Sequence, residues 1–183
     1  MGRGVYYGAA IAEASECRDQ RLYILGGGNS AGQATVLLAE YARQVTIVAP
    51  EPSLEDTMSQ YLLEQIGDLP NVETCPGHTI VGAEGHKHLE RLELQRTDGT
   101  ERHKVAADGL FVFIGAEPRT QWLEGVVDRD EQGFILANER METSVPGVFV
   151  AGDVRAGSVK RIASAVGEGA MAVQFIHGYL ADR

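Results

Sequence analysis

The sequence predicts an α/β protein: a Rossmann-like, three-layer nucleotide-binding domain with a parallel sheet and an antiparallel β-meander. Three observations carry the prediction. An apolar run ends in a glycine-rich turn, which opens a helical pattern and leads to a second apolar run. That order is a βαβ unit of about 30 residues, with parallel pairing and a right-handed crossover. A stretch of alternating residues around Asp98-Gly99 reads as half-exposed antiparallel strands. A later unbroken run, Leu110-Phe111-Val112-Phe113-Ile114, reads as a buried strand stopped by Gly115.

In chain order, Arg21 to Leu25 is the first buried strand. From Ser30 to Arg43, Ala31, Ala34, Leu37, Leu38 and Tyr41 recur at helical spacing. Gln44 to Ala49 is the second strand, broken by Pro50 and Pro52, and Glu55 to Ile66 reads as a second helix. Asn71 to Cys75 is a third parallel strand. The meander comprises Thr79 to Gly82, His88 to Arg96 and, after the Asp98-Gly99 turn, Thr100 to Val105. Beyond Glu117 the texture changes, with Pro118, Gly125, Gly133 and Pro146 as punctuation. Gly133 to Leu136 and Val148 to Asp153 read as strands, and Ile162 to Leu180 as a long helix.

The 183 residues suffice for one domain, or one domain and part of another. Hydrophobic content of 44% and charged content of 23% imply a packed core. The net charge of -10, from 16 basic and 26 acidic residues, repels phosphate backbones, so no nucleic-acid partner is expected. No apolar run approaches the about 20 residues that span a bilayer, so no membrane partner is expected either. The apolar stretch near Val5 is too short and glycine-rich for a signal peptide, and Tyr6 stands where a myristoylation site needs Ser or Thr. Cys17 and Cys75 form neither a C-x-x-C pair nor metal-ligand spacing. Two reduced thiols in a cytoplasmic protein is the plainer reading; a disulfide between them is the other.

Two motifs overlap at Leu25-Gly26-Gly27-Gly28-Asn29-Ser30-Ala31-Gly32. Gly26-x-Gly28-x-x-Ala31 is the fingerprint of a pyrophosphate cradle: tight turn, close backbone approach, close helix packing. The following helix N-terminus offers free N–H groups to phosphate. Glu51, just past the second strand, stands about where a ribose-binding acid belongs. Gly28-x-Ser30-x-Gly32 is the fingerprint of a hydrolase elbow. None of the later histidines sits in a triad context, no His-Gly-Gly-Gly segment precedes Ser30, and the turn follows the first strand instead of lying mid-sheet. The cradle is favoured; the elbow and a ligand-free glycine turn are the competing readings. In the tail, Gly152-Asp153 ends an apolar strand, where Asp153 could accept from sugar-like hydroxyls or simply cap a helix.

Five ordered segments then point further. They are Gly2-Arg3-Gly4-Val5-Tyr6-Tyr7, Ile24-Leu25-Gly26-Gly27-Gly28-Asn29-Ser30-Ala31, Phe113-Ile114-Gly115-Ala116-Glu117-Pro118, Thr143 to Asp153, and Ala163-Ser164-Ala165-Val166-Gly167-Glu168-Gly169. Together they resemble the thioredoxin reductase family of flavin-dependent pyridine-nucleotide oxidoreductases. The resemblance implies an NAD(P)H-binding domain over 19–118, after an interdomain connection over 1–18. Residues 119–183 would be the closing segment of a partial second Rossmann-like domain, which binds FAD. Gly26, Gly27, Gly28, Asn29, Ser30, Ala31, Glu51, Ile114 and Gly115 would serve the pyridine nucleotide. Gly152 and Asp153 would face the flavin ribityl chain, and Arg161 and Ile162 would lie near the flavin ring.

The chain departs from the family pattern in three ways. It carries one glycine fingerprint where the family has two, so it is expected to be a piece of a longer flavoprotein with an incomplete flavin site. The family's C-x-x-C should follow Gly2-Arg3-Gly4-Val5, but Tyr7-Gly8-Ala9-Ala10-Ile11 stands there. A disulfide relay needs two adjacent sulfurs, so the electron acceptor is expected to be something other than an internal disulfide. Ala49-Pro50-Glu51-Pro52 replaces the arginines of NADPH-selective members, and Glu51 would repel a 2′-phosphate. NADH is therefore modestly favoured, with Arg43 and Arg119 as residues that could approach from elsewhere.

The expected function is hydride transfer from NAD(P)H to FAD, with no catalytic side chain in this chain and no activity of the isolated chain. The alternatives are a ferredoxin- or flavodoxin-NAD(P) reductase of the same fold, a non-catalytic dinucleotide-sensing module and, remotely, a serine hydrolase using Ser30. The apolar tail strand, short of sheet neighbours, implies either local disorder or a homodimer through it.

Overall fold

The computed structural model describes residues 3–7, 14 and 16–181. The chain divides into two compact units, Met1–Gly115 and Ala116–Arg183.

The first unit has three layers. Its centre is a parallel sheet of β1 (Val5–Tyr7), β2 (Arg21–Leu25), β3 (Gln44–Ala49), β4 (Val72–Pro76) and β8 (Gly109–Val112), in the order β1-β8-β2-β3-β4. Side chains alternate across each strand, and the two faces go to different partners. Leu22, Ile24, Val45 and Phe111 pack under α1 (Asn29–Ala39), and Ile47 and Ala49 under α2 (Gln60–Gly67). On the other face, Val48 and Leu110 pack with Leu92 and Leu94 of an antiparallel sheet, β5-β6-β7. Its strands are β5 (His78–Glu84), β6 (Arg91–Arg96) and β7 (Arg102–Ala106). This is the three-layer α/β fold expected from the sequence.

Element ends differ from expectation for identifiable reasons. α1 stops at Ala39, short of Arg43, because Asn71 Nδ2 donates to the Ala39 and Ala42 carbonyls at 2.9 and 3.0 Å. Those bonds satisfy helix-end acceptors that would otherwise need another turn. The expected helix over Glu55 to Ile66 splits into a 3-10 turn (Leu54–Asp56) and α2, because Thr57 and Ser59 bond to the glycine-rich turn instead. β6 begins at Arg91, since Leu89 turns inward and its N–H donates to Arg3 O at 2.8 Å. β8 ends at Val112, which leaves Ile114 exposed. Strand β1, at the amino-terminal edge, was not expected; three residues carry too little pattern, and its partner β8 is far along the chain.

One ion pair fixes the register at the sheet's base. Asp108 accepts from Arg21 N, Nε and Nη2 at 2.9, 3.0 and 2.9 Å, setting Leu22 opposite Gly109. The Arg21 guanidinium holds the Asp108 carboxyl below its ordinary value of 3.8. A depressed carboxyl stabilises the fold above its unfolded value, and that stabilisation is lost as pH falls through the folded one. Asp108→Asn is therefore expected to lower the melting temperature at neutral pH and to flatten its fall under acid, as thermal scans from pH 7 downward would show. A parallel displacement of the whole curve would refute this.

The second unit has little regular structure before α3 (Ile162–Ala181). The strands expected over Gly133 to Leu136 and Val148 to Asp153 are not formed. In their place are isolated bridges, Arg129 with Ile135, Ile135 with Arg155, and Glu142 with Phe149. The chain folds back locally, with Thr143 N donating to Val148 O and Val150 N to Met141 O. Val127, Ile135 and Val150 then bury one another in a small cluster. α3 buries only Ala172 and leaves Ile162, Val166, Val173 and Leu180 exposed. Among the described residues, no helix is long and apolar enough to cross a membrane.

Candidate functional site

The glycine-rich turn links β2 to α1 in the first unit. Gly26 N donates to Val48 O at 2.9 Å, and Phe113 N to Leu25 O at 2.8 Å, so the neighbouring strands hold the turn on both sides. Gly26 has φ +135°, and a Cβ there would lie 2.4 Å from Phe113 O. Gly28 is the N-cap of α1 in extended conformation, with no side chain among the described residues capping it. The first-turn N–H groups of α1 are therefore left for an external acceptor. Asn29 and Ser30 are exposed, whereas Ala31 is fully buried against the sheet.

Glu51 stands beside this turn. A Cβ on Gly27 would lie 2.9 Å from Glu51 Oε2 and 3.1 Å from Thr57 Oγ1. Glu51 Oε2 is itself buried and has no hydrogen-bond partner among the described residues. An unsatisfied buried acceptor costs about 1–3 kcal/mol, and a ligand hydroxyl above Gly27 would relieve it. The Glu51 backbone oxygen is pinned by Gly77 N at 2.7 Å, so the residue is held in place from below. Arg43 does not join it. Arg43 acts on Asp108, at the opposite end of the parallel strands.

Ser30 lies inside α1 and not on a strained turn; among the described residues, the non-glycine residues with positive φ are Asp19, Met141 and Lys160. A hydrolase elbow places its nucleophile on a sharp, strained strand-to-helix turn, so the hydrolase reading fails on geometry. Gly32, which completed that motif, has a packing role. A Cβ there would meet Met58 Sδ at 2.8 Å and Leu62 Cδ1 at 3.1 Å.

The sequence reading missed Thr57, Met58 and Ser59. Met58 and Leu62 fill the space over Gly32, Thr57 Oγ1 donates to Gly27 O at 2.9 Å, and Ser59 N donates to Asn29 Oδ1 at 2.8 Å. The available signal was Gly32 itself, a glycine on the buried side of a helix, which implies a large partner.

The second unit holds the other expected residues. Gly152 and Asp153 form a turn at which Arg155 N donates to Gly152 O at 3.0 Å. Glu168, from α3, accepts from Gly152 N at 2.8 Å and Arg155 Nε at 3.0 Å through one oxygen, and from Arg155 Nη2 through the other. That bond to Arg155 holds the Glu168 carboxyl below its ordinary value of 4.5 and raises Arg155. Asp153 is exposed, as are Arg161 and Ile162 at the start of α3. Cys17 is buried and Cys75 half-buried, and neither is joined in a disulfide among the described residues. The stretch from Gly8 to Ile11, matched to the missing cysteine pair, lies outside the described residues.

Residues 6–169 match the pyridine nucleotide-disulphide oxidoreductase family. A component of the alkyl hydroperoxide reductase of Pseudomonas putida is 36% identical over 178 residues, covering 93% of this chain and 34% of that protein. Thioredoxin reductase of Peptoclostridium litorale is 32% identical, covering 99% of this chain and 58% of that protein. Among solved structures, a thioredoxin reductase of Lactococcus lactis superposes with a TM-score of 0.81 at 25% identity, over 99% of this chain and 59% of its own. The chain thus spans less than two thirds of the length of each.

Proposed function

The chain belongs to the pyridine nucleotide-disulphide oxidoreductase family, and on that footing we propose that it binds a pyridine nucleotide at the Gly26–Ala31 turn and forms the nucleotide-side part of a thioredoxin reductase-like flavoprotein. When bound, the nicotinamide supplies hydride and FAD accepts it, since cofactors and not side chains carry this chemistry. The observation that carries the reading is the orphaned, buried Glu51 Oε2 beside Gly27.

In this proposal the chain's own groups bind and orient. The Gly28 N–H and the first-turn amides of α1 hold the pyrophosphate. Glu51 accepts a free ribose hydroxyl and repels a 2′-phosphate. Ile114 and Gly115, exposed past β8, border the bound nucleotide. In the second unit, Asp153 serves the flavin ribityl hydroxyls and Arg161 and Ile162 the flavin ring. Residues 19–118 are the NAD(P)H-binding domain and 119–183 part of the FAD domain. The acceptor is something other than an internal disulfide of this chain, because Cys17 and Cys75 form no C-x-x-C pair. A homodimer and a cytoplasmic setting, where cysteines stay reduced, complete the proposal.

NADH is expected to bind at least as tightly as NADPH to the 183-residue chain. Glu51→Arg should reverse the order, shifting the ratio of dissociation constants roughly tenfold or more, since a charged hydrogen bond gained and a repulsion lost exceed the ~1.4 kcal/mol of one decade. Calorimetric titration of both nucleotides checks it. A clear NADPH preference in the unsubstituted chain would sink the role given to Glu51.

A further inference from the structure

The turn that should meet the pyrophosphate contains Gly27-Gly28, a peptide with no Cβ on either side. Such a peptide turns over more easily than any other, because glycine populates both signs of φ. In a trans peptide the C=O and the following N–H point in opposite directions, and no cis bond occurs among the described residues. The direction of Gly27 O therefore sets the direction of Gly28 N–H. A turn free to flip would present its amide to phosphate only part of the time.

The chain supplies a lock from 30 residues away. Thr57 Oγ1 donates to Gly27 O at 2.9 Å. The hydroxyl thus draws the carbonyl toward the segment after β3 and leaves Gly28 N–H facing away from it. Ser59 N, accepted by Asn29 Oδ1 at 2.8 Å, ties the next residue of the turn to the same segment. These two bonds interrupt what would otherwise be one continuous helix from Leu54 to Gly67. The break in helix and the clasp on the turn are the same structural event.

We infer that Thr57 is a positioning residue for dinucleotide binding: its hydroxyl holds the Gly27–Gly28 peptide in the orientation that presents Gly28 N–H to the pyrophosphate. The inference rests on the proposal that this turn binds a pyridine nucleotide. Thr57 also lies beside the Glu51 carboxylate over Gly27. One short segment therefore sets both the phosphate-binding amide and the acid that reads the ribose. Asn29, expected from sequence to touch the ligand, has its side-chain oxygen committed to this clasp.

The test compares the unsubstituted chain with Thr57→Val, which keeps the shape and loses the donor, and Thr57→Ser, which keeps the donor. Calorimetric titration with NADH should show about tenfold weaker binding for the valine variant, the size expected for one hydrogen bond, and binding within about twofold for serine. Amide NMR of the nucleotide-free chain should show a sharp Gly28 resonance in the unsubstituted and serine forms and a broadened or doubled one in the valine form. An unchanged Gly28 resonance in the valine variant overturns the inference, whatever the affinities, as does a failure of serine to restore affinity. If the unsubstituted chain binds neither NADH nor NADPH, the nucleotide reading falls, and the Gly28 resonance alone still decides the clasp.

Discussion

Gly26→Ala is expected to abolish measurable dinucleotide binding and to destabilise the first unit by several kcal/mol. Two independent penalties act on one atom. Gly26 sits at φ +135°, a backbone conformation closed to side chains, where strain costs about 1–3 kcal/mol. The new Cβ would also lie 2.4 Å from Phe113 O and 2.9 Å from Phe113 C, against backbone and not a movable side chain. Forced overpacking adds roughly 1–3 kcal/mol more. Relaxation is blocked, because Val48 O and Phe113 N hold the chain on either side of the turn. Urea titration followed by far-ultraviolet dichroism measures the loss, and calorimetry with NADH measures the binding. Near-native stability with intact binding would show that the turn adapts far more than its hydrogen bonds imply.

Glu168→Ala should unlock the Gly152-Asp153 turn. The Arg155 and Glu168 side chains are only 21% and 11% exposed. Removing the carboxylate leaves a largely buried guanidinium with Ala156 O, at 3.0 Å, as its acceptor among the described residues, and strands the Gly152 N–H. Breaking such a pair from one side costs about 3 kcal/mol, mostly the price of an uncompensated buried charge. The effect should be local to the second unit. Hydrogen exchange should quicken around residues 150–156 and in the first half of α3, while β2, β3 and β8 keep their protection. The same pair predicts acid sensitivity. Its stabilisation is complete above the ordinary glutamate value of 4.5 and is lost as pH falls through the depressed folded value. Unchanged exchange at Gly152 in the alanine variant would refute the lock.

The first unit was largely legible in the sequence and the second was not, for a physical reason. The βαβ signal is local: Leu22, Ile24 and Val45 form a run, a turn and a run, and their partners lie within about 30 residues. Asp98-Gly99 announced the β6–β7 hairpin in the same local way, with Thr100 N donating to Asp98 Oδ1 at 2.9 Å. In the tail, Phe149 and Val150 have strand-like composition. Composition reports burial and not hydrogen-bond partners, and here burial is met by a small cluster with Ile135 and Val127 instead of by a ladder. At the candidate site, the glycines and Glu51 were visible because the turn and the strand end sit at fixed offsets. Thr57 was not, because a lone threonine in a connecting segment carries no periodicity. Only the three-dimensional return of that segment over Gly32 gives it a role.

The strand order β1-β8-β2-β3-β4 has a consequence for how the chain is made. The wall of the glycine turn is Phe113, and β2 lies between β3 and β8. Gly26 leaves the ribosome 87 residues before Phe113. At about 5–20 residues per second, that interval is roughly 4–17 s of synthesis. During it β2 has β3 on one side and nothing on the other, so its edge stays open to mispairing. Closing the sheet then brings together segments nearly ninety residues apart, the kind of contact that slows folding most. The phosphate-binding turn, written early in the chain, becomes a site only when one of its last strands arrives.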